Sequence, residues 1–189
     1  MIQTEQVIQE VKKMIKGKDT SICKVFAAML AGGHILIDDV PGVGKTTLAV
    51  AFSQAMQLEN HRVQFTPDVL PADILGFSMY QKETGQFVYY PGAVICNLFL
   101  ADEINRTSPK TQSALLEVME EGCVTVDGVT REMPEPFLVM ATQNPKGSAG
   151  TQLLPESQLD RFMICVSMGY PDVATEIEIA RGKSASEGQ

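Results

Sequence analysis

The sequence predicts an α/β fold in which a five-stranded parallel sheet is sandwiched by helices, and three observations predict it. From residue 34 onward, short apolar runs alternate with segments of helical spacing, the pattern of successive βα units. The run "VICNLFLAD" is apolar almost without a break, as a strand covered on both faces has to be. A glycine-rich loop, "DDVPGVGKTT", joins one apolar run to a helical segment. Ligands of such sheets lie beyond the carboxyl ends of the strands.

Each element has its own signal. Val7, Ile8, Val11, Met14 and Ile15 recur on one helical face, and Gly17 ends that first helix. A second helix places Ile22, Val25, Phe26, Met29 and Leu30 at the same spacing and stops at Gly32-Gly33. "HILID" reads as a buried strand, followed by the glycine loop and a helix through "TTLAVAFSQAM". "HRVQFT" is the second strand and "VICNLFLAD" the third. Ser108-Pro109 starts the next helix, an N-cap followed by proline in the first turn, and Gly122 ends it. "PFLVMATQ" and "FMICVSM" complete the set of strands. Two hairpins interrupt the alternation. "VTVDGVTREM" turns at Asp127-Gly128, and "SMYQKETGQFVYY" turns at Thr84-Gly85. Neither belongs to a minimal α/β nucleotide unit, and insertions of this kind carry specialised work.

Composition narrows the classes. A chain of 189 residues, 44% hydrophobic and 20% charged, suits one soluble globular domain. A net charge of −8 argues against a nucleic-acid surface, which needs an excess of Lys and Arg. The cysteines Cys23, Cys96, Cys123 and Cys165 are widely separated and read as reduced thiols of a cytoplasmic protein. His34 and His61 are expected to be structural. No apolar run reaches membrane-spanning length, and the start "MIQTEQVIQEVKK" is not a signal peptide.

The loop is where chemistry begins. The phosphate-loop pattern G-x-x-x-x-G-K-[ST] is complete here except at its first position, which is Asp39. Such a loop works because backbone N–H groups converge on an anion at a helix N-terminus. Gly42 and Gly44 let the chain turn tightly enough to aim those groups, with Pro41 and Val43 in the same nucleotide-binding loop. Lys45 supplies a cation for the β- and γ-phosphates, and Thr46, with Thr47 beside it, opens the helix. The Thr46 hydroxyl suits Mg²⁺. Asp39 lies at the strand exit, and its side chain is expected to point away from the phosphates.

Hydrolysis needs more than a cradle. "NLFLADE" ends an apolar strand in Asp102, placed to hold a Mg²⁺ shell, and in Glu103, placed to polarise water. Asn144, at the end of "FLVMATQN", either orients water or the γ-phosphate or simply starts an Asn-Pro turn. Arg161, read as lying late in a helix before the last strand, either forms a surface salt bridge or reaches a neighbouring subunit's γ-phosphate.

The segments "DVPGVGKTTLA", "LFLADEINRTSPKTQSALLEVMEEG", "VTVDG", "PFLVMATQNP" and "LLPESQLDRF" together resemble the MoxR group of AAA+ ATPases, from about Gly17 to Pro171. The resemblance implies an AAA+ core of the P-loop NTPase class. Lys45 and Thr46 would be its Walker A residues, Asp102 and Glu103 its Walker B residues, Asn144 its sensor 1 and Arg161 its trans-acting arginine finger. The hairpins would be the helix-2 insert, about residues 66–93, and the pre-sensor-1 hairpin, about residues 124–133. Phe77, Met79 and Tyr80 are candidates for partner contact or for packing on their own hairpin.

Residues 1–172 are expected to form the core. Residues 173–189, with the short helical pattern "DVATEIEIA", would begin a shortened or missing helical lid and end in a frayed tail. The resemblance further implies ATP or ADP with Mg²⁺, assembly into a ring such as a hexamer, and chaperone-like remodelling of a client protein, with a von Willebrand factor A domain protein as partner. A nucleotide-dependent switch with negligible turnover is the alternative, and a chelatase-type or DNA-associated motor a further one.

Overall fold

The computed structural model describes residues 4–38, 44–143 and 154–169. "DVATEIEIA" and the tail lie outside them, as do Asp39, Pro41, Gly42, Val43 and Asn144.

In chain order the elements are helices α1 (Thr4–Met14) and α2 (Asp19–Leu30), strand β1 (Ile35–Asp38), helix α3 (Lys45–Met56), strand β2 (Asn60–Gln64) and the short helix α4 (Pro71–Leu75). The hairpin β3 (Gly76–Gln81) and β4 (Gln86–Pro91) follows, then β5 (Leu98–Asp102) and helix α5 (Pro109–Glu121). A second hairpin, β6 (Cys123–Val126) and β7 (Val129–Glu132), precedes β8 (Leu138–Gln143), α6 (Glu156–Leu159) and β9 (Ile164–Val166). Five strands form one sheet in the order β2-β5-β8-β1-β9, and every pairing in it is parallel. The predicted fold class is the one observed.

Alternation within the strands sorts their apolar residues into two cores, because successive side chains point to opposite faces. Ile35, Ile37, Leu98, Leu100, Leu138 and Met140 pack beneath α1, α2 and α3. Leu36, Phe99, Ala101, Val139 and Ala141 face Leu115, Leu116, Val118 and Met119 of α5. This is why the central strands read as unbroken apolar runs. On the first face, Phe26 of α2 stacks on Phe52 of α3 with ring centroids 5.9 Å apart.

Local signals predicted the boundaries well. The Ser108 hydroxyl accepts from the Thr111 N–H at 3.3 Å, with Pro109 opening the helix. Gly122 ends it at φ 64°. Asp127 and Gly128 both take positive φ, 52° and 75°, as a two-residue hairpin turn requires.

Other expectations need correction. Val94 and Cys96 of "VICNLFLAD" are buried, yet the strand begins only at Leu98. Their backbone makes local turn bonds instead, the Cys96 N–H donating to the Val94 carbonyl at 2.8 Å. Met14 and Leu30 close their helices on the solvent side, 44% and 61% exposed. Helix α4 was not foreseen. It braces the first hairpin so closely that a Cβ on Gly92 would collide with the Ile74 carbonyl.

The histidines are structural, as expected. His34 accepts from the Val139 N–H at Nδ1 and donates from Nε2 to the Met119 carbonyl, both at 3.0 Å, so it is held as one neutral tautomer. Burial lowers its pKa from 6.5, with the Met119 bond opposing that shift. The unfolded chain therefore binds the proton more readily. His34's contribution is fully present above about pH 6.5 and is lost as pH falls toward the lowered folded value. Urea unfolding from pH 8 to pH 5 is expected to show this loss. His34→Phe should abolish that pH-dependent component and cost about 1–3 kcal/mol at pH 8. An unchanged pH slope in the variant would assign the loss to other groups.

The four cysteines are free thiols, and burial pushes Cys96 up to about 11. Among the described residues no helix is long and apolar enough to cross a membrane.

Candidate functional site

The carboxyl ends of four strands line up along one edge of the sheet. Gln64 of β2 is in register with Asp102 of β5, Ala101 with Ala141 of β8, and Asp38 of β1 with Gln143 of β8. Helix α3 begins at that edge, since the loop preceding it leaves β1. Its N-cap, Gly44, takes φ 87°, a left-handed conformation that a side chain disfavours. Lys45 follows, only 7% exposed, and its Nζ donates to the Gln143 carbonyl at 3.4 Å. The cation of the loop thus sits over the end of β8. Thr46 is half-buried and Thr47 exposed in the first turn of α3.

Asp102 continues the Leu98–Leu100 column of β5, and Thr142 continues the Leu138–Met140 column of β8. Both therefore emerge on the α3 side of the sheet. The Thr142 hydroxyl donates to Asp102 Oδ1 at 2.6 Å and accepts from the Glu103 N–H at 2.9 Å. One buried hydroxyl thereby sets the positions of two consecutive acids. Asp102 Oδ2 accepts from Arg62 Nη2 of β2 at 2.7 Å.

Glu103 adopts φ 57°, a conformation uncommon for a residue with a side chain. That turn ends the strand and separates the Glu103 carboxylate from Asp102. Its Oε2 accepts from Arg106 Nη1 at 2.8 Å, the arginine coming from the 3₁₀ turn Ile104–Arg106.

The residue types suit a nucleotide with its metal. Asp102 and the Thr46 hydroxyl are hard oxygen donors of the kind Mg²⁺ takes. Gln143 Oε1, at the same edge, is buried and has no hydrogen-bond partner among the described residues, an acceptor suited to a donor from outside the protein. Gly44, Lys45 and the N-terminus of α3 lie at the same edge, and their N–H groups and cation are of the kind that would suit an anion.

Of the predicted site residues, the structure brings together Gly44, Lys45, Asp102 and Glu103, with Thr46 and Thr47 in the adjoining turn. Pro41, Gly42, Val43 and Asn144 lie outside the described residues. Arg161 is not at this edge. It follows α6 rather than lying within it, two residues before Met163, whose N–H bonds the carbonyl of His34 at the entry to β1. Its Nη2 pairs with Glu120 Oε2 at 2.8 Å and its Nη1 donates to the Ser157 carbonyl at 2.7 Å, while Nε is buried without a partner among the described residues. The surface salt bridge weighed from sequence is therefore present. At about 3.3 Å per strand residue, the two edges of the sheet are roughly 13 Å or more apart.

Sequence reasoning missed Arg62, Thr142 and Arg106. Thr142 could have been noticed as a polar residue in an apolar strand, and Arg106 as the basic residue three positions after Glu103. Arg62 carried no local signal.

Comparison with known proteins accords with this geometry. The sequence model of the ATPase family associated with various cellular activities (AAA) matches residues 34–164. The chain is 51% identical over 174 residues to the uncharacterized protein YeaC of Bacillus subtilis, covering 92% of this chain and 54% of YeaC. It is 46% identical over 175 residues to the chaperone MoxR1 of Mycobacterium tuberculosis, covering 93% of this chain and 46% of MoxR1. A solved structure of a candidate ATPase from Cytophaga hutchinsonii superposes with a TM-score of 0.84 at 44% identity, covering 95% of this chain and 55% of that one. The chain thus spans about half the length of the relatives it matches. With the paired acids, Lys45 and the parallel sheet in place, the chain belongs to the AAA family of ATPases, and within it to the MoxR group.

Proposed function

We propose that the chain binds and hydrolyses Mg-ATP and works as a cytoplasmic, chaperone-like remodelling ATPase. The observation that carries this reading is the convergence of Lys45, Asp102 and Glu103 at one edge of the sheet, with Asp102 and the Glu103 backbone tied to one hydroxyl. When bound, Mg²⁺ would neutralise phosphate charge, held through Thr46 and Asp102. Lys45 and the backbone of residues 41–47 bind the β- and γ-phosphates. Glu103 accepts a hydrogen bond from water, whose oxygen bonds to the γ-phosphorus as the β–γ bridging bond breaks; the proton passes toward Glu103. Asn144 would orient that water. Arg161, at the far edge from its own site, would stabilise the transition state in a neighbouring subunit.

That division of labour calls for a ring, and a hexamer is the assembly we propose. The first hairpin supports a partner-facing role. Phe77 stacks on Tyr90 and Tyr80 packs on Phe87, yet Phe77, Met79, Tyr80 and Phe87 all stay 49–74% exposed. The name of MoxR1 supports a protein client, and a von Willebrand factor A domain protein is the partner class the group resemblance suggests.

The test is ATP turnover measured against protein concentration, alongside nucleotide binding. Specific activity is expected to rise with concentration as shared sites form. Turnover that stays flat and near zero while nucleotide binds would replace this reading with a nucleotide-dependent switch. Stimulation by DNA would favour a nucleic-acid motor.

A further inference from the structure

Both oxygens of the Asp102 carboxylate are engaged by protein groups of different kinds. At Oδ1 stands the neutral Thr142 hydroxyl, 2.6 Å away, which orients the carboxylate without changing its charge. At Oδ2 stands the Arg62 guanidinium, 2.7 Å away, which carries a full and permanent positive charge. The Asp102 side chain is 11% exposed and that of Arg62 49% exposed, so the pair joins a nearly buried acid to a base reaching in from solvent.

Arg62 belongs to β2, the strand at one end of the sheet, which pairs with β5 and with no other strand among the described residues. The same Nη2 that meets Asp102 also donates to Gln64 Oε1 at 3.1 Å. The side chain can therefore leave the carboxylate and keep a partner on its own strand.

We propose that Arg62 is a built-in competitor for the metal at Asp102, setting how much Mg²⁺ the site requires. The inference rests on the reading that Asp102 helps hold Mg²⁺. A divalent ion near Asp102 and a guanidinium on its Oδ2 repel each other in a partly desolvated corner, where charges interact more strongly than in bulk water. Arg62 consequently weakens metal binding, and bound metal drives Arg62 off the carboxylate toward Gln64; the two effects are one coupling seen from either side. Arg62 acts here as a positioning residue, through its contact with Asp102.

The experiment uses the whole chain and its Arg62→Gln, Arg62→Met and Arg62→Lys variants. A fluorescent ADP analogue reports nucleotide binding, first in EDTA and then across a buffered Mg²⁺ titration. Removing the charge in Arg62→Gln and Arg62→Met is expected to lower the half-saturating Mg²⁺ concentration by about 5–20-fold, the size set by one screened unit charge acting on a divalent ion. Arg62→Lys should stay within about threefold of the parent, and nucleotide affinity in EDTA should be similar in all four proteins. A half-saturating Mg²⁺ concentration that is unchanged or raised in both neutral variants, with nucleotide still bound, overturns the competitor role and leaves the proposed function standing. Failure of the parent chain to bind the analogue at any Mg²⁺ concentration overturns both. Arg62→Met keeps the test decisive if the glutamine variant does not fold, because its stem covers the same edge without a polar group.

Discussion

Arg161→Ala is expected to lower ATP turnover by about 10³–10⁵-fold, the range found for arginine groups that stabilise phosphoryl transfer from across an interface, while nucleotide affinity changes little. The expectation follows from where the arginine stands. It is anchored by Glu120 and the Ser157 carbonyl beside the entry to the strands, whereas Lys45, Asp102 and Glu103 gather at the exit. An arginine so placed cannot serve its own site, and its partly exposed guanidinium is held where a second copy could receive it. A mixing experiment separates this from loss of fold. Arg161→Ala subunits supply an intact Glu103, and Glu103→Gln subunits supply an intact Arg161, so a mixture of the two inactive proteins should regain turnover. If the mixture stays as inactive as its components, or the single variant keeps parental activity, the shared site is wrong.

Glu103→Gln is the second large effect, expected to reduce turnover by about 10²–10⁴-fold through loss of the group that takes the proton from water. The geometry makes the change clean. A glutamine oxygen can still accept from Arg106, and the bond from the residue's N–H to Thr142 belongs to the backbone. Binding of the ADP analogue should therefore stay within about threefold of the parent and thermal stability within about 1 kcal/mol, as for substitutions that leave packing intact. Single-turnover hydrolysis, which excludes product release, is the measurement to make. A variant hydrolysing within a fewfold of the parent would assign the base elsewhere.

Much of the architecture was legible because it is written in short-range chemistry. Helix periodicity, Ser108-Pro109 and Gly122 around α5, Asp127-Gly128 in the hairpin and the Gly44-Lys45-Thr46 sequence each act through neighbours a few residues away. Where local signals are thin, reading failed. Helix α4 spans five residues, too few to show a period. Val94 and Cys96 are as apolar as the strand they precede, and hydropathy cannot separate burial in a turn from burial in a ladder. Met14 and Leu30 fit their helical faces, but each lies at the last turn, where the neighbouring elements no longer cover it.

The sequence by itself determined the fold class, the elements that carry the chemistry, and the identity of Lys45, Thr46, Asp102 and Glu103 as the residues to examine. Tertiary structure alone decided the strand order β2-β5-β8-β1-β9, and with it which residues surround those acids. Arg62 and Thr142 each lie 40 positions from Asp102, and they meet it because β2 and β8 flank β5. The physical reason is that strand pairing is long-range. A single strand's pattern states which face it buries, whereas its neighbours, and the charges they bring to its end, are set by how the whole sheet packs.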